Sequence, residues 1–172
     1  MQTIATAVLE RPPWRLRLAR SWRGLCYLSL SLDADRDDLE RHVRRHFDDA
    51  SVVDDPEALR VEIARVEAYL DGGVRAFGLD LDLRGTDFQV AVWRALCDVP
   101  YGATATYGEV ARAVGRPRGA RAIGQAVHVN PVAIVVPCHR VVAGGGRIGG
   151  YGGGLEVKRR LLALEGVPAL RD

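Results

Sequence analysis

Residues 106–128 read TYGEVARAVGRPRGARAIGQAVH, and the rest of the chain is organised around this stretch. Thr106 followed three residues later by Glu109 is a capping box, which opens a short helix running to about Ala113. Gly115-Arg116-Pro117-Arg118 breaks that helix, and a second one is expected from about Gly119 to His128. Helix, tight glycine-containing turn, helix is a layout used to read nucleic acid, although any two short packed helices share it. The second helix favours the former reading. Ala120, Gly124 and Ala126 leave its surface thin enough for close backbone approach to a groove, while Arg116, Arg118 and Arg121 supply charge for phosphates.

Downstream, the apolar run Val132 to Val136 predicts a buried strand that ends at Pro137-Cys138-His139-Arg140. Residues 144–154 are so rich in glycine that they predict a loop or wing; Gly144, Gly146 and Gly149 match a dinucleotide-binding spacing formally, but no helix opens at the third glycine. A closing helix follows, with Val157, Leu161 and Leu164 as its apolar stripe. Upstream, a first capping box pairs Thr86 with Gln89 and starts a helix whose stripe is Phe88, Val92, Leu96 and Val99.

Before Gly85 the texture differs. Trp14, Leu16 and Leu18 alternate, Ser21 to Gly24 is a polar break, and the pattern resumes from Leu25 to Leu32, which reads as a β-hairpin. From Asp33 the period is helical, with Leu39, Val43 and Phe47 on one stripe. Asp55-Pro56 opens a second helix with Leu59, Ile63, Val66 and Leu70, ended by Gly72-Gly73. Alternation at Leu79, Leu81 and Leu83 predicts a further strand, so the first half is expected to be a small α+β lobe on an antiparallel sheet.

Composition agrees with a folded chain. Of 172 residues, 48% are hydrophobic and 27% charged, which excludes a disordered, collagenous or coiled-coil protein. No apolar run is long enough to span a bilayer and no signal-peptide pattern opens the chain, so a cytoplasmic setting without membrane contact is expected. The net charge of +2 is unevenly divided: residues 1–86 hold 13 basic against 16 acidic side chains, a balance of −3, whereas residues 87–172 hold 11 against 6, a balance of +5. A polyanionic partner for the second half, or merely a solvated basic face, follows from that asymmetry.

Three cysteines at unrelated spacings exclude a disulfide framework and a CxxC metal site. Cys26 and Cys97 lie on the apolar periodicity of their elements and read as buried structural residues. Cys138 is different: it stands between a rigid proline and a histidine, ahead of a glycine loop, where a thiol is fixed on one side and approachable from the other. His139 is its neighbour, but adjacent side chains on extended backbone diverge, so a turn or a bridging water is needed for the two to cooperate. Glu165 is a candidate to orient that histidine. His42 and His46 have metal-ligand spacing, yet no further ligand accompanies them, and an exposed helix face is expected.

These residues together resemble a family. Pro137-Cys138-His139-Arg140-Val141-Val142 is similar to the active-site motif of the O6-alkylguanine-DNA alkyltransferases, or methylated-DNA–protein-cysteine methyltransferases. Gly85-Thr86-Asp87-Phe88-Gln89 with Trp93, Val99-Pro100-Tyr101-Gly102, Thr106-Tyr107-Gly108, Arg121-Ala122-Ile123-Gly124, Asn130-Pro131, Gly150-Tyr151-Gly152-Gly153-Gly154 and Glu165-Gly166 follow that family's order and spacing. The likeness covers nearly all of residues 85–166 and is weaker upstream.

The resemblance implies an α+β fold: an N-terminal lobe over residues 1–84, ribonuclease H-like with an antiparallel sheet and helices, and a winged helix-turn-helix domain over residues 85–172 carrying the cysteine. It implies direct reversal of O6-alkylguanine, and conceivably O4-alkylthymine, by one irreversible transfer of the alkyl group to Cys138, with no cofactor and no metal. His139 acts on the thiol through water, Glu165 orients His139, Tyr107 hydrogen-bonds the guanine ring and Asn130 fixes the turn bearing the cysteine. Arg121 fills the space of a base flipped from duplex DNA, the second helix with Ala120 and Gly124 enters the minor groove beside Arg116 and Arg118, and Val141, Tyr151, Gly152 and Gly153 line the pocket. A monomer in solution is implied, with cooperative binding along DNA left open. Gly152 departs from members that carry serine there, which implies a wider pocket. Two other readings stand beside this one: a noncatalytic DNA-binding module, against which the presence of Cys138 argues, and a cysteine hydrolase using Cys138, His139 and Glu165.

Overall fold

The computed structural model describes residues 2–30 and 36–172. The expected end of the hairpin at Leu32 and start of the helix at Asp33 lie outside the described residues. Two compact units divide the chain, Met1–Arg84 and Gly85–Asp172, and the fold is α+β.

The first unit is built on a four-stranded sheet. Strands β1 (Gln2–Arg11), β2 (Trp14–Ser21) and β3 (Gly24–Leu30) form an antiparallel meander, and β4 (Ala50–Asp54) joins β1 in parallel, giving the order β3-β2-β1-β4. The sheet is therefore mixed, which corrects the all-antiparallel expectation. Neither β1 nor β4 was legible: β1 is central, so Ile4, Ala5, Thr6 and Ala7 are all buried and the polar-apolar alternation disappears. Helix α1 (Arg36–His46) packs Leu39 and Val43, with Phe47 just beyond it, against Ile4, Ala19, Cys26 and Tyr27. Each such side chain contributes about 1.5–3 kcal/mol on burial.

A 3₁₀ turn at Glu57–Leu59 leads into α2 (Arg60–Leu70). The buried residues of this segment are Leu59, Glu62, Val66 and Tyr69, so the predicted Ile63 and Leu70 are only half-buried. The register differs because Glu62 is held inside by Arg20 at 3.5 Å and Tyr69 packs on Phe77 with ring centroids 4.9 Å apart. Leu79 to Leu83 is not a strand. Only Leu81 bridges β3 at Leu25, through Leu25 N–H to Asp80 O (2.9 Å) and Asp82 N–H to Leu25 O (2.9 Å). That approach requires glycine at position 24: its φ is +144°, and a Cβ there would lie 2.3 Å from Asp80 O.

The second unit begins with α3 (Asp87–Cys97), capped by reciprocal bonds between Thr86 and Gln89. Its Trp93 is buried and donates through Nε1 to Ala126 O at 2.8 Å, fastening α3 to α5 (Ala120–His128). Between them lie β5 (Ala105–Thr106) and α4 (Tyr107–Ala113), the latter capped as expected by Thr106 and Glu109. The turn from α4 to α5 passes through Gly115 at φ +70°. Residues 132–136 are not the predicted strand: Ile134 takes φ +68° and the segment folds back on itself, with Val136 N–H bonding Val132 O at 2.9 Å. The apolar run is buried as a turn. Cys138–Arg140 forms a 3₁₀ turn, β6 (Val141–Val142) pairs in parallel with β5, and α6 (Leu155–Leu164) closes the chain. The glycine-rich segment between β6 and α6 contains no helix.

Candidate active site

The site is assembled in the second unit by one tight turn and the far end of the last helix. Pro137 directs the chain into the 3₁₀ turn Cys138–Arg140, and all three residues of that turn are buried. Asn130 shapes the approach: its Nδ2 donates to Val136 O (2.9 Å) and its Oδ1 accepts from Val132 N–H (3.0 Å), so one side chain clamps both ends of the folded-back segment that carries the cysteine. The backbone at these residues is a turn and not the extended chain on which neighbouring side chains diverge.

Burial, the largest influence, raises the Cys138 thiol above its ordinary range; hydrogen bonds from the Asn130 and Tyr151 side chains and the charge of Lys158 pull it back down. Sulfur therefore rests as a thiol and needs a base. His139, fully buried, lies 2.8 Å through Nε2 from Glu165 Oε1. A carboxylate only accepts, so Nε2 carries the proton and Nδ1 is the basic nitrogen of the neutral ring. Burial lowers the affinity of His139 for a further proton, against the pull of Glu165. Tyr107, first residue of α4, has its hydroxyl held protonated above the usual range by burial and, once the thiol of Cys138 ionises, by the thiolate charge. Its ring runs between Gly124 and Gly149, whose Cβ positions would stand 3.8 and 3.6 Å from it.

Two buried cations here carry no signal in the apolar periodicity. Arg140 grips Glu165 with a fork, Nε to Oε2 and Nη2 to Oε1, both at 2.9 Å, and sends Nη1 to Val99 O at 2.6 Å. Lys158 sits on the buried face of α6 beside Leu161 and Leu162, where the predicted stripe had Val157 and Leu164, which are only half-buried. Its Nζ donates to Val141 O (2.5 Å), Ile148 O (2.7 Å) and Gly150 O (3.0 Å), and burial lowers its pKa to about 8. The Arg140 of the motif was quoted in the sequence without a role; the charge complementarity with Glu165 was the signal available.

The remaining candidates fall as follows. Arg116, Arg118, Ala120 and Arg121 are exposed on the turn and the start of α5, and Gly124 is half-buried beside Tyr107. Val141 is buried, Tyr151 half-buried, and Gly152 and Gly153 exposed. Cys97 is exposed, correcting its assignment to the core, because α3 ends there. Cys26 is buried with its thiol pushed up to about 12. His42 and His46 are half-buried, their rings tilted at 42° with centroids 4.8 Å apart and His42 also facing Tyr27 and Phe47, so the exposed face expected for them is corrected too. Among the described residues no three His, Cys, Asp or Glu side chains form a metal site, and no helix is long and apolar enough to cross a membrane.

Fold and site define an α+β protein whose second unit holds a buried thiol in a tight turn next to a buried histidine–carboxylate pair. Residues 87–167 match the family model described as 6-O-methylguanine DNA methyltransferase, DNA binding domain. A methylated-DNA–protein-cysteine methyltransferase of Methanosarcina barkeri is 39% identical over 92% of this chain and 94% of its own length. The crystal structure of Mycobacterium tuberculosis O6-methylguanine methyltransferase superposes with a TM-score of 0.81 at 40% identity, covering 98% of this chain and 96% of the other. A second, of Mycobacterium tuberculosis OGT in complex with DNA, gives 0.78 at 37% identity over 97% and 96%. The chain belongs to the methylated-DNA–protein-cysteine methyltransferase family.

Proposed function

We propose that this protein repairs DNA by moving the alkyl group of O6-alkylguanine onto Cys138 in a single, irreversible turnover. The observation that carries this reading is the thiol, buried in a turn, hydrogen-bonded by Asn130 and Tyr151, and followed by a histidine bonded to a buried carboxylate. His139 takes the sulfur proton through water, sulfur forms a bond to the alkyl carbon as the carbon–O6 bond breaks, and the electron pair passes into the guanine ring. The sulfur proton rests on His139, the departing guanine takes its proton from the hydrogen-bonded Tyr107 hydroxyl, and Tyr107 recovers one from the His139 imidazolium through solvent, so that protons and charge balance. Because a thioether has no carbonyl for water to attack, the cysteine is not regenerated, which disfavours a hydrolase.

The O6 carbon is inaccessible in a stacked duplex, so the base is flipped at a cost of a few kcal/mol. Residues 85–172 act as a winged helix-turn-helix domain with α5 in the minor groove, Arg116, Arg118 and Arg121 on the DNA, and residues 1–84 as a ribonuclease H-like lobe. The protein works as a cytoplasmic monomer without cofactor. Gly152 puts no side chain where some members carry serine, and the nearest atoms to a Cβ there belong to His128, at 3.6 to 3.8 Å, so glycine is not required by sterics and a wider pocket is the reading. Transfer from O6-benzylguanine at a rate near that from O6-methylguanine is expected, and strong rejection of benzyl would contradict a wide pocket.

The test is mass spectrometry after incubation with equimolar duplex containing O6-methylguanine. One methyl group on the Cys138 peptide, stopping at one equivalent and lost in Cys138→Ser, is the expected result. An unmodified protein that still binds the duplex would leave a lesion sensor instead.

A further inference from the structure

Glu165 accepts at least four hydrogen bonds: His139 Nε2 and Arg140 Nη2 on Oε1, Arg140 Nε and the Gly102 backbone N–H (3.2 Å) on Oε2. Oε1 is thus shared between a permanent cation and a titratable one, while Oε2 is held by the same cation and a backbone N–H, in a site where His139 and Glu165 have no exposed side-chain surface and Arg140 is 7% exposed. A buried carboxylate with only a histidine beside it would draw a proton onto that ring; one already paired with guanidinium has its charge matched. The position of Arg140 is itself tightly determined, since its third nitrogen is anchored on Val99 O at 2.6 Å and its Cζ lies 5.9 Å from the Tyr101 ring centroid.

We infer that Arg140 is a positioning residue that acts on the thiol chemistry through Glu165: it matches the carboxylate charge, so that Glu165 orients His139 without converting it to imidazolium. Among the described residues, charged and titratable groups act on His139 from several elements. Cys138 precedes it, Arg140 follows it in the same turn, Lys158 and Glu165 approach from α6 and its end, and Cys97 lies at the end of α3, where it feels Arg140. Arg140 and Lys158 both oppose protonation of His139, and Glu165 favours it. The thiol proton consequently stops on His139, because Glu165, held by its cation, has no reason to accept it.

This inference rests on the reading of His139 as the base for Cys138, and the experiment separates the two. The rate of methyl transfer is followed from pH 5 to 9 for the native chain, Arg140→Lys and Arg140→Gln, with thermal melts defining the folded range. Arg140→Gln is expected to move the acid limb of the profile upward by about one to three pH units, the effect of an opposite charge no longer compensated, while Arg140→Lys keeps it near the native position. A rate lowered uniformly with an unmoved limb would mean a structural role only and would overturn the inference. If Arg140→Gln does not fold, the double variant Arg140→Gln, Glu165→Gln removes the pair as a neutral unit. Its limb is expected near the native one; a limb displaced to lower pH would show that Arg140 had not been compensating Glu165. Histidine NMR titration of the same variants reads the charge on His139 without substrate. A native chain that transfers no methyl group would sink the functional reading, while the NMR shift still decides the role of Arg140.

Discussion

Lys158 illustrates how much one side chain can organise. Its ammonium is the donor for three backbone carbonyls, one just before the glycine-rich segment and two within it, and a long apolar residue cannot replace it. At about 1–3 kcal/mol for a buried acceptor deprived of its donor, Lys158→Met is expected to lower the unfolding free energy by about 3 kcal/mol, read from the urea midpoint. An unchanged midpoint would show that water satisfies the three carbonyls. Gly102 is constrained in a different way, by its φ of +76° and by Glu165 O only 3.0 Å from a would-be Cβ. Gly102→Ala should therefore cost about 1–2 kcal/mol in backbone strain and slow transfer by displacing Glu165, whereas a loss of stability with full activity would mean that the backbone shift stops short of the carboxylate. Positions of this kind explain the partial legibility of the site. Cys138, His139 and Glu165 are recognisable by chemical type, but the buried lysine hides because it occupies a place that periodicity assigns to an apolar residue.

Helix α4 depends on its first turn. Thr106 Oγ1 accepts from Glu109 N–H (3.2 Å), and Glu109 Oε2 accepts from both Thr106 N–H (2.7 Å) and its hydroxyl (2.8 Å). Thr106→Ala is expected to remove about 1 kcal/mol and, since Tyr107 is the next residue, to reduce the transfer rate; thermal melting and single-turnover kinetics measure the two effects. In α1 the relevant property is acid sensitivity. His42 is held by burial at about 4, well below its usual 6.5. Between these values the unfolded chain takes up a proton that the folded chain refuses, so about 3 kcal/mol of stability is lost as pH falls from 6.5 to 4. His46 and His139 shift in the same direction and add to the loss. Asp82, whose carboxyl is held low by Arg84 and Ser21 despite its burial, responds only at more acid pH. His42→Leu should flatten the decline in a urea series over that window; an equally steep one would assign the sensitivity to the other histidines. Element types were legible where one face is wet, as in α1 and both capped helices, and in β2 because Arg15 and Arg17 keep an alternation in the sequence although Leu16 to Ala19 are all buried. They were lost where burial is two-sided, as in β1, and where an apolar run folds into a turn, as at Val132 to Val136.

Charge is partitioned along the chain, with residues 1–86 at −3 and residues 87–172 at +5. For a protein that neutralises DNA phosphates, affinity falls with salt at a slope of about 0.9 for each phosphate contacted. Arg116→Ala and Arg118→Ala should each reduce that slope by about one if they contact phosphate, measured by fluorescence anisotropy on undamaged duplex. Arg121→Ala should slow repair of duplex substrate far more than reaction with the free alkylated base, and equal losses would contradict a role in flipping.

The attachment of the glycine-rich segment has one more implication. Lys158 holds Val141, Ile148 and Gly150 by their carbonyl oxygens, which every amino acid possesses, so the fastening is indifferent to the identity of the side chains it secures. At the tip, Cβ atoms built on Gly144 and Gly145 would meet nothing within 4 Å. The chain can accordingly vary at Gly144, or host a spliced peptide tag there, while Gly145, Gly146 and Gly149 keep glycine for their positive φ and the two feet stay pinned beside the thiol.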